Sequence, residues 1–184
     1  PVEGQVWYNT TTNVVKGFIV STGSWATGGS LNTARNRMGG AGTQTAALVF
    51  SGGPGFTKVE TESYNGTSWT EVGDLNTTGS TANTESWNGT NWTEVNNLNT
   101  IREKVSGAGT STSALAFGGG PGIPVPEKAS TESWNGTNWT TVASLGTARY
   151  GMGGSGLNNT SALAFGGTLD PPQVGSTESW NGSS

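Results

Sequence analysis

Short runs that alternate small and large apolar side chains recur along the chain, separated by clusters of Gly, Asn, Ser and Thr. The run "SALAF" at 113–117 sets Leu115 and Phe117 on one face of a strand and Ala114 and Ala116 on the other, and it returns at 161–165; "AALVF" at 46–50 is a third version. A double glycine follows each run. Nowhere do apolar residues recur at the three-to-four spacing of a helix, so the pattern predicts an all-β protein.

A second word, "TESWNGTNWTEV" at 84–95, is repeated as "TESWNGTNWTTV" at 131–142 and "TESYNGTSWTEV" at 61–72, and begins again as "TESWNG" at 177. Asn-Gly between β-rich flanks predicts a two-residue type I′ hairpin, because that turn needs positive φ at both central residues. With Asn88-Gly89 as the turn, Trp87 pairs with Thr90 and Glu85 with Trp92, and the two indoles lie diagonally on one face. Asn135-Gly136 predicts a second such turn.

The "TES" triplets start at 61, 84, 131 and 177, at intervals of 23, 47 and 46 residues. Periods in the forties belong to propellers and solenoids. The longer units share a script: "LNTARNRMGGAGTQTAALVFSGG" at 31–53, "LNTIREKVSGAGTSTSALAFGGG" at 98–120 and "LGTARYGMGGSGLNNTSALAFGG" at 145–167. Trp25, Trp92 and Trp139 each precede the opening leucine by six residues, and Arg35, Arg102 and Arg149 follow it by four. Each unit therefore reads as four strands: a glycine-rich strand after the Arg, the "ALAF" strand, "TESW" and "NWTEV". The segment 61–83 passes straight into the next "TESWNG", so the blade that follows lacks its first two strands. That leaves about three full units and a half, short of the 4–8 blades of a usual propeller. Two completions are expected: continuation beyond Ser184, or copies that complete one another. A fourth strand after the final "TESW" is expected from "GSWATGGSL" (23–31), the usual way a propeller is latched. The chain opens on Pro rather than Met, as a piece of a longer polypeptide would.

A hydrophobic strand ending in Gly-Gly, then an aromatic, a Trp and an Arg before the next strand resembles the kelch repeat over residues 24–184. The resemblance implies four-stranded blades of a partial or complete β-propeller. The double glycines would be Gly52-Gly53, Gly118-Gly119 and Gly166-Gly167; the aromatic would be Tyr64, Trp87, Trp134 and Trp180; the Trp would be Trp25, Trp69, Trp92 and Trp139. The aromatic-to-Trp turn is shorter than in kelch repeats, and the aromatic is mostly Trp instead of Tyr. The wording "TESWNGTxWTEV…GAGT…ALAFGG" is similar to that of tail-associated and other structural proteins of bacteriophages. The opening "EGQVWYNTTTNVVKGF" (3–18) resembles a hairpin of phage fibre proteins and implies a separate N-terminal segment, 1–23. Fibre-like phage proteins are commonly trimers, so the resemblance favours three copies.

Composition narrows the chemistry. The 184 residues include no Cys and no His, which removes disulfides, thiolate and imidazole metal sites and every Ser–His or Cys–His arrangement. A copper oxidase occurs among kelch relatives, but its site uses His and Cys and cannot be carried over. Only 11% of residues are charged and the net charge is −4, so neither nucleic acid nor an anionic membrane is an expected partner. No run is long and apolar enough to cross a bilayer, and no signal peptide is visible. Low apolar content can mean disorder, but eight Trp at regular spacing argue for packing.

The repeated Arg35, Arg102 and Arg149 could converge to grip a carboxylate, as in sialidases. Their periodicity favours a structural part, as it does for Glu62, Glu85, Glu132 and Glu178, since a catalytic carboxylate pair is not needed four times. The Trp faces could stack on sugars, although packing between blades is the reading preferred here. Numerous Asn-x-Ser/Thr sequons, Asn65, Asn88 and Asn135 among them, read as turn chemistry. The expectation is therefore a non-catalytic structural component of a phage virion (a tail fibre, spike or fibre-associated protein) without cofactor or metal. Its expected partners are identical copies, other virion proteins and a host surface glycan. The alternative is an extracellular carbohydrate-binding propeller of lectin type; a propeller enzyme ranks last.

Overall fold

The computed structural model describes residues 6–9, 14–17, 26–36, 38–53, 58–77, 82–120, 127–169 and 172–183. Among these residues there is no helix, and every strand pairing is antiparallel. The N-terminal strands β1 (Val6–Asn9) and β2 (Val14–Gly17) pair with each other, from Val6↔Gly17 to Asn9↔Val14.

The four-strand script is realised as a meander. In the first unit β3 (Gly39–Thr43), β4 (Ala46–Phe50), β5 (Thr61–Tyr64) and β6 (Trp69–Val72) lie in the sheet in chain order. The second complete unit repeats this with β9 (Ser106–Thr110), β10 (Ser113–Phe117), β11 (Thr131–Trp134) and β12 (Trp139–Val142). Between them β7 (Thr84–Trp87) and β8 (Trp92–Val95) form a two-stranded sheet, the half unit that the sequence predicts. The last unit has three strands, β13 (Gly153–Asn158), β14 (Ser161–Phe165) and β15 (Thr177–Trp180). The sheets form no closed barrel or propeller among the described residues.

The hairpin word folds differently from its prediction. Trp87 stands opposite Trp92 and Glu85 opposite Glu94, so the loop is Asn88–Asn91, four residues long, and the indoles pair directly instead of diagonally. Their ring centroids are 5.3 Å apart, and Trp134–Trp139 repeats the pair at 5.2 Å. The Asn is the reason. Its Oδ1 accepts the N–H groups two and three residues on, Thr90 and Asn91 in one copy and Thr137 and Asn138 in the other, at 2.8–2.9 Å. This side-chain turn keeps Asn88 and Asn135 out of the positive-φ region, and the glycine alone takes it, at φ 101° for Gly89 and 95° for Gly136. Gly136→Val is expected to cost at least about 1 kcal/mol of stability, read as a lower urea midpoint, because a β-branched residue resists that φ; an unchanged midpoint would contradict the assignment.

The double-glycine position also shifts in one unit. Gly118 and Gly119 adopt φ 64° and 95°, and Gly166 and Gly167 adopt 67° and 104°. The matching pair in the first unit is Ser51 and Gly52, at 63° and 102°, not Gly52-Gly53. A serine thus holds a left-handed position that glycine holds elsewhere, because strand pairing from Phe50 fixes where the chain must leave the sheet.

Among the described residues a core of buried apolar side chains lies between the last two units. Leu115 and Phe117 on β10 meet Met152, Ala162 and Ala164 of the last unit, with Leu145 and Trp180 packed around them. The alternation in "SALAF" makes this possible: the large residues of one sheet face the small residues of the next. Glycine strands let the sheets approach. A Cβ on Gly154 of β13 would lie 2.5 Å from the Gly107 carbonyl of β9 and 2.9 Å from the Phe117 ring. On the far side of the last unit Leu163 and Phe165 are 44% and 43% exposed.

The expected latch, 23–31, is described only from residue 26 onward. The described part of 23–31 runs along the first unit, where the Gly29 carbonyl accepts the Trp69 indole N–H at 3.1 Å. The last sheet ends at β15, with β14 as its partner. Trp25 itself lies outside the described residues.

Candidate functional site

The recurrent charged residues are brought together in pairs, one in each of the two complete units and one in the three-stranded last unit. The loop carrying Arg35 precedes β3, yet its guanidinium crosses to the third strand and pairs with Glu62, with both side chains buried. Arg102 Nη2 meets Glu132 Oε1 at 2.9 Å with neither side chain exposed, and Arg149 meets Glu178 at 2.9 Å. The guanidinium also caps strand-edge carbonyls: Arg102 Nη2 donates to Ala116 O at 3.3 Å, and Arg149 Nη1 to Ser176 O at 3.0 Å.

Each carboxylate is also the anchor of the incoming linker. Glu62 accepts from the backbone and side-chain amides of Asn32 and from Thr33 N; Glu132 accepts in the same way from Asn99 and Thr100. The Asn side chain bridges further, to the Trp69 carbonyl in the first unit and the Trp139 carbonyl in the second. The "Leu-Asn-Thr" motif is thus a clamp that seats the start of each unit on its third and fourth strands. The last unit has Gly146 at the Asn position, keeps the backbone bond to Glu178, and leaves that carboxylate 29% exposed.

The half unit shows what the arginine is for. Its loop has no Arg, and Glu85 accepts instead from Asn76 N and Nδ2, Thr77 N and the Thr77 hydroxyl. The hydroxyl replaces the guanidinium where the two inner strands, and the burial they bring, are missing. A carboxylate that stays wet needs hydrogen bonds but no counter-charge; one sealed under a sheet needs both.

These contacts separate the readings of the sequence. The three guanidinium groups do not converge on one cavity, and Glu62 and Glu132 have their oxygens fully engaged. Among the described residues no group of three or more acidic side chains is placed to hold a metal ion. Burial raises the Glu62 carboxyl, but the Asn32 amide, the Arg35 guanidinium and the Thr33 amide outweigh it and hold the carboxyl below its usual value. A lowered folded-state pKa contributes stability that is complete above the ordinary carboxylate range near about 4.3 and is lost as pH falls through the folded value. The melting temperature is therefore expected to drop on acidification below pH about 4. Glu62→Gln should flatten part of that drop; an identical acid profile for the variant would contradict the clamp.

The tryptophans link units. Trp92 Nε1–H donates to Thr61 Oγ1 of the first unit at 3.0 Å, and Trp139 Nε1–H donates to Thr84 Oγ1 of the half unit at 3.2 Å. Trp134 and Trp180 instead donate within their own units, to Ser111 O at 2.9 Å and Asn159 O at 2.8 Å, closing the turn between the first two strands. Among the sequons, Asn65, Asn88, Asn135, Asn158 and Asn181 accept turn N–H bonds through Oδ1, as turn chemistry requires. The linking roles of Asn32, Asn99, Thr61 and Thr84 escaped the sequence reading, although "LNT" and "TES" recur in step with the Arg and Trp. No protein-family model matches the chain, and no curated protein is similar to it.

Proposed function

We propose that the chain is a structural, non-catalytic part of a bacteriophage virion, in a tail fibre, spike or fibre-associated protein. Its kelch-like blades serve host adhesion or assembly beside identical copies and other virion proteins. The observation that carries this reading is the use made of the periodic polar residues. In the two complete units Arg, Glu, Asn and Thr hold the unit's own clamp, and the fourth-strand Trp92 and Trp139 join the half unit and the second complete unit to the unit before. The meander order of the strands supports the kelch-like part. The experiment is mass spectrometry of purified phage particles whose genome encodes the chain. Peptides from it should appear at a constant ratio to other tail proteins; their confinement to the soluble lysate would overturn the reading.

One observation favours the carbohydrate-binding alternative. A cleft between the half unit and the second complete unit is lined by Thr84, Glu85, Ser86, Thr110, Ser111 and the rings of Trp134 and Trp139. Hydroxyls, a carboxylate and indole faces suit a sugar. Glycan-array binding that is lost in Trp139→Ala, in a protein absent from particles, would move the assignment there.

A further inference from the structure

The Trp92 indole occupies a seat built by the first unit and its own sheet. Its ring meets Phe50 edge-on at 5.0 Å, its N–H reaches Thr61 Oγ1 at 3.0 Å, and Trp87 closes the third side at 5.3 Å. The same seat exists at the last unit, with no occupant among the described residues. Phe117, Thr131 and Trp180 hold the places of Phe50, Thr61 and Trp87, and with Leu115 and Leu145 they line a groove that opens to solvent. Thr131 is 4% exposed, and among the described residues no donor reaches its hydroxyl, whereas Thr61 and Thr84 each receive an indole N–H. Among the described residues the outer edge of β15 beside the groove has no strand either, where β5, β7 and β11 each have one. An unpaired edge next to an apolar groove is a template for a strand that carries a large side chain.

We propose that a second copy of this chain supplies that strand, with its Trp25 seated in the groove. This rests on the reading that identical copies assemble, and it specifies how. Trp25 precedes Leu31 by six residues, as Trp69, Trp92 and Trp139 precede Leu75, Leu98 and Leu145. Trp25 itself lies outside the described residues. The residues after it already lie as a linker does on leaving a fourth strand. A Cβ on Gly29 would sit 2.7 Å from the Thr67 carbonyl, one on Gly73 would sit 2.8 Å from the Thr90 carbonyl, and Asn96 donates to the Thr137 carbonyl, each in the hairpin loop of the unit that follows. In this chain a linker runs from the fourth strand of one unit onto the next unit. A fourth strand leading into the first unit therefore belongs to the sheet before it. The described sheets of one chain do not close, so that sheet is the last unit of another copy. The contact is head-to-tail and repeats the packing seen inside the chain.

The repeat also sets the register. Trp134 pairs with Trp139 and Ser133 with Thr140, so Trp180 should oppose Trp25 of the second copy, and Ser179 should oppose Ala26. The chain has no cysteine, which makes disulfide trapping clean. Ala26→Cys and Ser179→Cys are made as separate variants, each checked for parental unfolding, then mixed under mild oxidation. A reducible dimer on a non-reducing gel is expected, falling about fivefold when the first variant also carries Trp25→Ala, the effect of losing roughly one hydrogen bond and its packing. An out-of-register mixture of Thr27→Cys with Ser179→Cys should link poorly. Absence of the dimer, equal linkage out of register, or, in a variant carrying both Ala26→Cys and Ser179→Cys, linkage confined to single chains would each overturn the proposal. None of these outcomes bears on whether the chain is found in particles, so the virion reading stands or falls separately.

Discussion

Arg102→Ala should cost about 3–5 kcal/mol, the loss usual when one partner of a buried ion pair is removed. The guanidinium has no exposed side-chain surface, and neither has Glu132, which would be left as an uncompensated charge. Burial lowers the Arg102 pKa while Glu132 opposes that shift, and the group stays a cation throughout the usual range. The loss rivals the total stability of many domains, so the variant is expected to be partly unfolded at room temperature. Chemical denaturation read by Trp fluorescence is the measurement. Removing Glu132 as well should not restore stability, because the Asn99 and Thr100 donors of the linker would then be orphaned. A loss below about 1 kcal/mol for Arg102→Ala would show that the pair is not sealed in solution.

Phe117→Ala and Phe165→Ala test the same letter of the same word, "SALAF", and should differ sharply. Phe117 is 3% exposed inside the core between the last two units, and its truncation is expected to cost about 3–5 kcal/mol. Phe165 is 43% exposed, and its truncation should cost less than about 1 kcal/mol wherever the chain is monomeric. Equal costs at low protein concentration would mean that the sheets do not stack as described. A cost for Phe165→Ala that grows with concentration would point to a covering copy.

Strand placement was legible because it is local. Alternation in "SALAF", the Gly-Gly that ends it and the recurrence of "TESW" mark strands four to six residues long, and the missing pair in the half unit follows from the 23-residue interval alone. The all-β architecture and the order of strands within each unit were determined in the same way. Hairpin register was not, although it too is local. Asn-Gly suits a two-residue turn, but the Asn side chain competes for the same N–H groups, and the paired tryptophans are satisfied by the longer loop.

What the tertiary structure alone decided is which residues meet across long separations. Arg102 and Glu132 are thirty residues apart, and Trp139 and Thr84 fifty-five. The sequence presents each as one member of a periodic set, with nothing in the period to say whether the set converges on a ligand or is divided among the units. Burial settles that choice. A charge sealed beneath a sheet must find its counter-charge within the same unit, whereas Glu85, left wet where two strands are missing, is held by neutral donors.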